Sequence, residues 1–192
     1  MTAFRSLRIA ALTGLLAWTG LVSAQALSVA SLQRLLQDAP KHELRFQETR
    51  ESQWLSSPIE SSGSMNASAT VLEKMVEKPR RETWRILDDR MQLVTPGSNA
   101  VKEFMFSEAP AVAALARALR SAIAGDLPSL DKDFKLVPGG DERLWTLQLT
   151  PRRSDISRHL RQLELQGTGR YLQVIVIVEA QGDRTTTRLI HD

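Results

Sequence analysis

The stretch Trp145-Thr146-Leu147-Gln148-Leu149-Thr150-Pro151 decides the fold class. Large apolar side chains alternate with polar ones until a proline ends the run. Successive side chains on a strand point to opposite faces, so this pattern predicts a strand with one buried and one solvated face. The same period of two recurs outward from it. Leu163 and Leu165 alternate with Gln162, Glu164 and Gln166, and Leu44 and Phe46 alternate with Arg45 and Gln47. Trp84 and Ile86 alternate with Thr83 and Arg85, and Met91 and Leu93 follow the turn Asp88-Asp89. Turn signals such as Ser61-Ser62-Gly63, Pro138-Gly139-Gly140-Asp141, Gly167-Thr168-Gly169 and Gly182-Asp183 separate the runs, as expected of antiparallel strands.

Two stretches change period. Ser28 to Asp38 reads as a helix, with Val29, Leu32, Leu35 and Leu36 on one stripe, Ser28 as N-cap and Pro40 beyond its end. Glu108 to Ala124 reads as a second helix, with Ser107 as N-cap, Pro110 in its first turn and Gly125 at its C-terminal cap. Val112, Leu115, Leu119 and Ile123 form its apolar stripe, Arg117 and Arg120 lie off it, and much of the rest is alanine. The expected architecture is mainly β with two helices: a curved antiparallel sheet of roughly ten or eleven strands. Trp84 and Trp145 are expected on its concave side. Two helices are few for so many strands, which leaves concave surface for a ligand.

The N-terminus carries a different signal. Arg5 and Arg8 precede an apolar run from Ile9 to Val22, followed by Ser23-Ala24-Gln25-Ala26. A basic start, an apolar middle and small residues at the cut define a secretory signal peptide. The signal is expected over residues 1–24, with cleavage after Ala24 or Ala26, and residues 25–192 are expected to form one domain. The apolar run falls short of the roughly 20 residues that span a bilayer, which leaves a membrane anchor as the alternative reading of the segment. Export to a compartment without an ATP pool removes most nucleotide-driven chemistry.

The sequence has no cysteine, which excludes a disulfide scaffold, a thiolate metal site, a cysteine nucleophile and an N-terminal lipid anchor on cysteine. Whole-chain Lys and Arg number 25 against 22 Asp and Glu; loss of Arg5 and Arg8 with the signal leaves 23 against 22, a net charge of +1. Basic residues are interleaved with acidic ones, as in Glu73-Lys74-Met75-Val76-Glu77-Lys78, which reads as a solvated face and gives no stripe for nucleic acid. The histidines His42, His159 and His191 have no metal-ligand spacing. Asp126, Asp131 and Asp133 lack the glycine and distal glutamate of a calcium loop. Ser154, Asp155 and His159 share one polar segment after Pro151, which reads as an exposed loop, since a catalytic triad is defined by spatial geometry. No nucleophile elbow, phosphate loop or dinucleotide fingerprint is present, so no enzyme and no cofactor is expected. What remains is a set of large apolar side chains on strands, among them Phe46, Met65, Trp84, Met91 and Trp145. Individually they read as core; as a set they can line an apolar pocket.

The order of short motifs resembles the LolA-like family of periplasmic carriers of outer-membrane lipoproteins. After the first helix, Phe46-Gln47-Glu48 resembles the family's Phe-x-Gln segment, and Gly63-Ser64-Met65 its Gly-x-Leu strand. Val76-Glu77-Lys78-Pro79 followed by Trp84 is similar to Val-Lys-Arg-Pro with a tryptophan five residues past the proline. Arg90-Met91-Gln92-Leu93, Trp145 to Pro151 and Ile177 to Thr185 resemble later strands and the final hairpin. The resemblance spans nearly the whole chain after the signal. It implies an incomplete antiparallel β-barrel with a helical lid over an apolar cavity for acyl chains. On that reading Leu44, Phe46, Met65, Trp84, Ile86, Met91, Leu93, Trp145, Leu147 and Leu163 are cavity candidates. Val112, Leu115, Leu119 and Ile123 are lid candidates. Lys78, which stands where the family pattern has arginine, is the lid-gating candidate; lysine offers a point charge where arginine offers a planar fork.

The implied function is a soluble, monomeric periplasmic carrier that takes a lipoprotein or other lipidic cargo from an inner-membrane donor complex to an outer-membrane acceptor, touching membranes transiently. A lipid- or protein-binding sensor of the same fold without transport is the alternative. A lipid hydrolase is a remote one, with no motif behind it.

Overall fold

The computed structural model describes residues 27–40, 43–68, 70–97 and 101–191. The signal segment 1–24 with its cut after Ala24 or Ala26, His42, and part of the turn after Pro96 lie outside the described residues. The architecture is one antiparallel sheet of 11 strands, order β6-β5-β4-β3-β2-β1-β11-β10-β9-β8-β7. The strands are β1 Leu44–Glu51, β2 Ile59–Ala67, β3 Leu72–Lys78, β4 Glu82–Ile86, β5 Arg90–Val94, β6 Val101–Met105, β7 Phe134–Gly140, β8 Leu144–Pro151, β9 Leu160–Thr168, β10 Tyr171–Glu179 and β11 Arg184–Ile190.

Two consecutive meanders, β1 to β6 and β7 to β11, meet where β1 pairs β11. The chain therefore leaves the sheet at the β6 edge and re-enters at the β7 edge. The helix that makes this journey, α2 (Pro110–Ala124), passes over the concave face. A short 3-10 helix, Pro128–Lys132, completes the connection.

Register carries one face across the whole sheet. Phe46 lies opposite Leu189 and Gly63, Ile175 opposite Thr187 and Leu165, and Leu147 opposite Leu165. Trp84 lies opposite Lys74, which lies opposite Met65, so Trp84 and Trp145 share the concave side. Trp145 is fully buried and its indole nitrogen donates to the Gly169 carbonyl at 2.8 Å. Gly167, its cross-strand partner, leaves room for the ring: a Cβ there would lie 2.2 Å from the indole.

Helix α1 (Val29–Gln37) is capped by Ser28, whose hydroxyl accepts from the Ser31 amide. Leu32 and Leu36 are its buried residues, and it packs on β7 and β10. The second helix differs from expectation at its start. It begins at Pro110 with Ala109 as N-cap and no side-chain cap, where Glu108 and a Ser107 cap were expected. Proline at the first turn lacks the N–H that a cap would satisfy, so its fixed φ sets the start. Gly125 ends the helix in the left-handed conformation at φ 74°, against the α1 backbone at Leu36.

The expectation of two helices is corrected by a third. The segment read as a loop after Pro151 contains α3 (Ser154–Ser157), too short to show a helical period, with Ile156 buried against β8 and β9. Among the described residues no helix is long and apolar enough to cross a membrane.

Candidate functional site

The apolar surface of α2 divides into two stripes. Ala114, Ala118 and Ala122 are at most 1% exposed, and Ala113 and Ala116 are also buried. These alanines belong to the buried core, and α2 as a whole packs on α1, α3, the 3-10 helix and β2. Alanine has no long side chain to interpose, so the backbones approach closely. Leu115, Leu119 and Ile123 form the adjacent stripe and are only partly buried, while Val112 is 40% exposed. The large side chains of the lid thus meet open space where ordinary core packing would enclose them.

That space is a row of three voids along α2. A groove of about 430 Å³ at its N-terminal end is lined by Pro110, Val112, Leu115, Leu160 and Ile177, with His159 at its rim. Beneath the helix lies a cavity of about 210 Å³, walled by Met65, Leu72, Ile86, Leu119, Ile123, Ile175 and Ile177. At the C-terminal end a groove of about 370 Å³ is bounded by Leu36, Leu44, Ala67, Ile123 and Arg120. Ile177 lines the first and second voids, and Ile123 the second and third. An apolar void of about 150 Å³ admits a guest the size of benzene. The central cavity alone therefore holds a short piece of alkyl chain, and a long chain needs α2 displaced so that the voids merge.

The ten cavity candidates from the sequence fall into three groups. Met65 and Ile86 line the central cavity, and Leu44 lines the C-terminal groove. Phe46, Trp145, Leu147 and Leu163 are at most 1% exposed and do not line the central cavity. Trp84, Met91 and Leu93 lie on the same face but line none of these three voids, and are half-buried, with the Phe104 ring of β6 at 6.3 Å from that of Trp84 and itself 43% exposed. Lys78 sits on a polar groove of about 600 Å³ with Gln47, Glu48, Thr49, Glu60, Ser61, Ser62 and Pro79.

Cationic anchors on α2 come from its own arginines. Arg120 pairs with Asp88 in the β4–β5 turn and donates to the Thr70 carbonyl at 3.2 Å. Arg117 donates to the buried Asp133 at 2.8 Å. These two pairs tie the helix to both meanders. Asp131, the neighbour of Asp133 in the acidic cluster, pairs with Arg152. Asp155 is held by Arg153, whose hydrogen bond is the main cause keeping the carboxyl below its usual range. The segment that contains Ser154 and His159 thus spends its carboxylate on a surface ion pair.

One feature of the cavity wall is absent from the sequence reading. Glu73 to Lys78 was expected to be a solvated face, yet Lys74 turns inward, in phase with Leu72 and Val76. Its ammonium lies 2.8 and 2.7 Å from the two Glu48 oxygens and 4.8 Å from the Phe46 ring centroid. Thr187 and Ser61, the register partners of Glu48 on β11 and β2, donate to the same carboxylate at 2.7 and 3.4 Å. Burial alone would favour the neutral acid. The Lys74 charge and the hydrogen bonds from Lys74, Thr187 and Ser61 outweigh it, so the carboxyl titrates below its ordinary value. The signal was available: a charge stands in the apolar phase of β1 and of β3.

The sequence matches the model of the family described as outer membrane lipoprotein carrier protein, LolA-like, over residues 22–191. No curated protein matches it. Among solved structures it is similar to a LolA superfamily protein from Nitrosomonas europaea, at 9% identity over 86% of this chain and 93% of that one, with a TM-score of 0.48. A DUF1329 family protein from Desulfovibrio piger aligns at 9% identity over 85% and 88%, TM-score 0.39. A putative outer membrane lipoprotein-sorting protein domain from Vibrio parahaemolyticus aligns at 8% identity over 85% and 89%, TM-score 0.35.

Proposed function

The chain belongs to the LolA-like family of outer membrane lipoprotein carrier proteins, and from that membership we propose that it binds the acyl chains of a lipidic cargo beneath α2 and carries them across the periplasm. The observation that supports this reading is the division of α2. An alanine face is enclosed in the core, and a leucine–isoleucine stripe faces the voids. A helix that served only as core would turn its large side chains into the packed side and its alanines outward. Each methylene sheltered from water contributes about 0.8 kcal/mol, which disfavours escape into solvent and permits handover to a second apolar site. No covalent step is needed.

On this reading residues 1–24 direct export, the chain from residue 25 works as one unit, and Leu115, Leu119 and Ile123 are the lid surface that touches cargo. Met65, Ile86 and Ile177 are the opposing wall. Arg117 and Arg120 are better placed than Lys78 to hold the lid, because both reach from α2 itself. A donor at the inner membrane and an acceptor at the outer membrane follow from the family's role. The test has two parts. Organic extracts of gently purified protein should yield a lipid by mass spectrometry, and a fluorescent acyl probe should pass from donor to acceptor vesicles faster with the protein than without it. Retention of the probe without faster transfer would favour a binding or sensing module over a carrier.

A further inference from the structure

The Glu48–Lys74 pair sits where an apolar cavity meets a polar groove. Glu48 lines both the 210 Å³ cavity under α2 and the 600 Å³ groove bearing Ser61, Ser62 and Lys78. Lys74 lines the cavity, and the two side chains are only 21% and 19% exposed. An ion pair so buried gains little over a well-packed apolar pair, because desolvation offsets the attraction. Stability does not account for its position.

The hydrogen bonds of the pair indicate what it can do. The Glu48 carboxylate accepts from Lys74 through both oxygens and from Thr187 and Ser61 as well. An ammonium has three donors, and among the described residues the hydrogen bonds of Lys74 both go to Glu48. One N–H of a side chain that lines the cavity is thus left without a hydrogen-bond acceptor among the described residues, on a pair whose net charge is zero. That suits an uncharged acceptor, such as the carbonyl of an ester or an amide. A free carboxylate would bring an uncompensated negative charge into the cavity and compete with Glu48 for Lys74, which is costly away from water.

We propose that Glu48 and Lys74 form a headgroup-reading site that admits acyl chains joined as esters or amides and discriminates against free fatty acids. The inference rests on the acyl-binding reading above and adds the linkage by which the chain is held. The alkyl chain lies under α2, its carbonyl accepts from Lys74, and the rest of the molecule leaves past Glu48 along the polar groove.

The experiment compares a dodecanoyl probe with a fluorophore at its far end, as the free acid and as the methyl ester, at pH 7.5. An ester enters any apolar site more readily than an ionised acid, so the diagnostic quantity is the change in their affinity ratio on mutation. Glu48→Gln leaves Lys74 without its counter-charge. The acid-to-ester affinity ratio should then rise about tenfold. An unchanged acid-to-ester ratio in Glu48→Gln would overturn the proposal and leave the acyl-binding reading standing. If neither probe binds the unmodified protein, both readings fall together. Should Glu48→Gln not fold, Lys74→Met decides. It should weaken ester binding at least fivefold and leave diphenylhexatriene, which has no carbonyl, bound as before; unchanged ester affinity overturns the proposal.

Discussion

One concave face runs across the sheet, but its two halves are finished differently. Over β8 and β9, Trp145, Leu147, Leu149, Leu163 and Leu165 are all 0% exposed. Over β4 to β6, Trp84, Met91 and Leu93 are half-buried and Phe104 is exposed. The strand patterns are alike, so the difference comes from what lies above. Helices α1 and α3 pack on β7 to β10, whereas α2 meets the β4–β6 meander at one end, across the cavity at Ile86 and through the Arg120–Asp88 pair. Apolar phase in a strand therefore states only which side faces inward; whether that side is core or wall is decided by the chain segments that return to cover it. The voids along α2 lie at the boundary between the two regimes.

Trp145→Ala should destabilise the protein by about 3–5 kcal/mol, as a fully enclosed aromatic leaves a cavity behind. Trp84→Ala, at a half-open position, should cost about 1–2 kcal/mol, since less surface is withdrawn from water. Chemical denaturation of the two variants measures the contrast, and equal losses would mean that the two halves are equally packed.

Next in size is the boundary itself. Leu119→Glu puts a carboxylate into the cavity under α2. Retention of an acyl probe should drop tenfold or more, while the empty protein, free to turn that side chain outward with the helix, should keep most of its stability. Normal probe retention would remove the cavity from function. Outright unfolding would place Leu119 in the packed half.

A smaller effect is expected at the latch. Arg120→Ala removes the contact to Asp88 and the bond to the Thr70 carbonyl, a loss of about 1 kcal/mol for a partly exposed pair. Hydrogen exchange should quicken in α2 and stay unchanged in β10. Equal acceleration in both would show that the helix and the sheet open together.

The smallest effect concerns pH. Glu48 has a folded pKa below its unfolded value of about 4.3, so its contribution is complete above that value and is lost as pH falls through the folded pKa. Lys74 is the charged group facing it; Thr187 and Ser61 are neutral donors, and α2 presents only Leu119 and Ile123 to this cavity. Thermal melts below pH 4.3 should fall more gently for Glu48→Gln than for the unmodified protein. Parallel curves would mean that the pair has no linkage to folding.

Much of this was legible before any coordinates. Alternation at Trp145 to Leu149 gave strand and face together, because a period of two is a direct image of backbone geometry, but not that Trp145 and Leu147 are enclosed core rather than cavity wall. The short α3 was not legible, since four residues cannot display a period of 3.6. The division of α2 was half visible: the leucine stripe and the abundance of alanine both stood out, but not that the alanines are the more enclosed side, because small residues carry little hydrophobic signal even when fully buried. Lys74 was hidden by its neighbours. Glu73 and Glu77 are the outward charges of β3, and a run of alternating sign masks the one residue whose phase is wrong for solvent. The sheet order was not legible either, because pairing between β1 and β11 leaves no mark in a local window.

That last pairing has a consequence for how the molecule comes into being. Arg45 finds Ile190, and Glu48 finds Thr187, across most of the chain's length. Each meander can assemble from neighbouring hairpins, but the seam between them closes only after the last strand has emerged. Contacts of such separation are slow to form and leave strand edges open meanwhile. A chain emerging N-terminus first would expose β1 as an unpaired edge until its final residues arrive. The seam is thus a timer on maturation: the lid anchors of Arg117 and Arg120 all lie before β8, but the cavity wall at Thr187 and the Glu48–Thr187 bond come into existence only when β11 arrives.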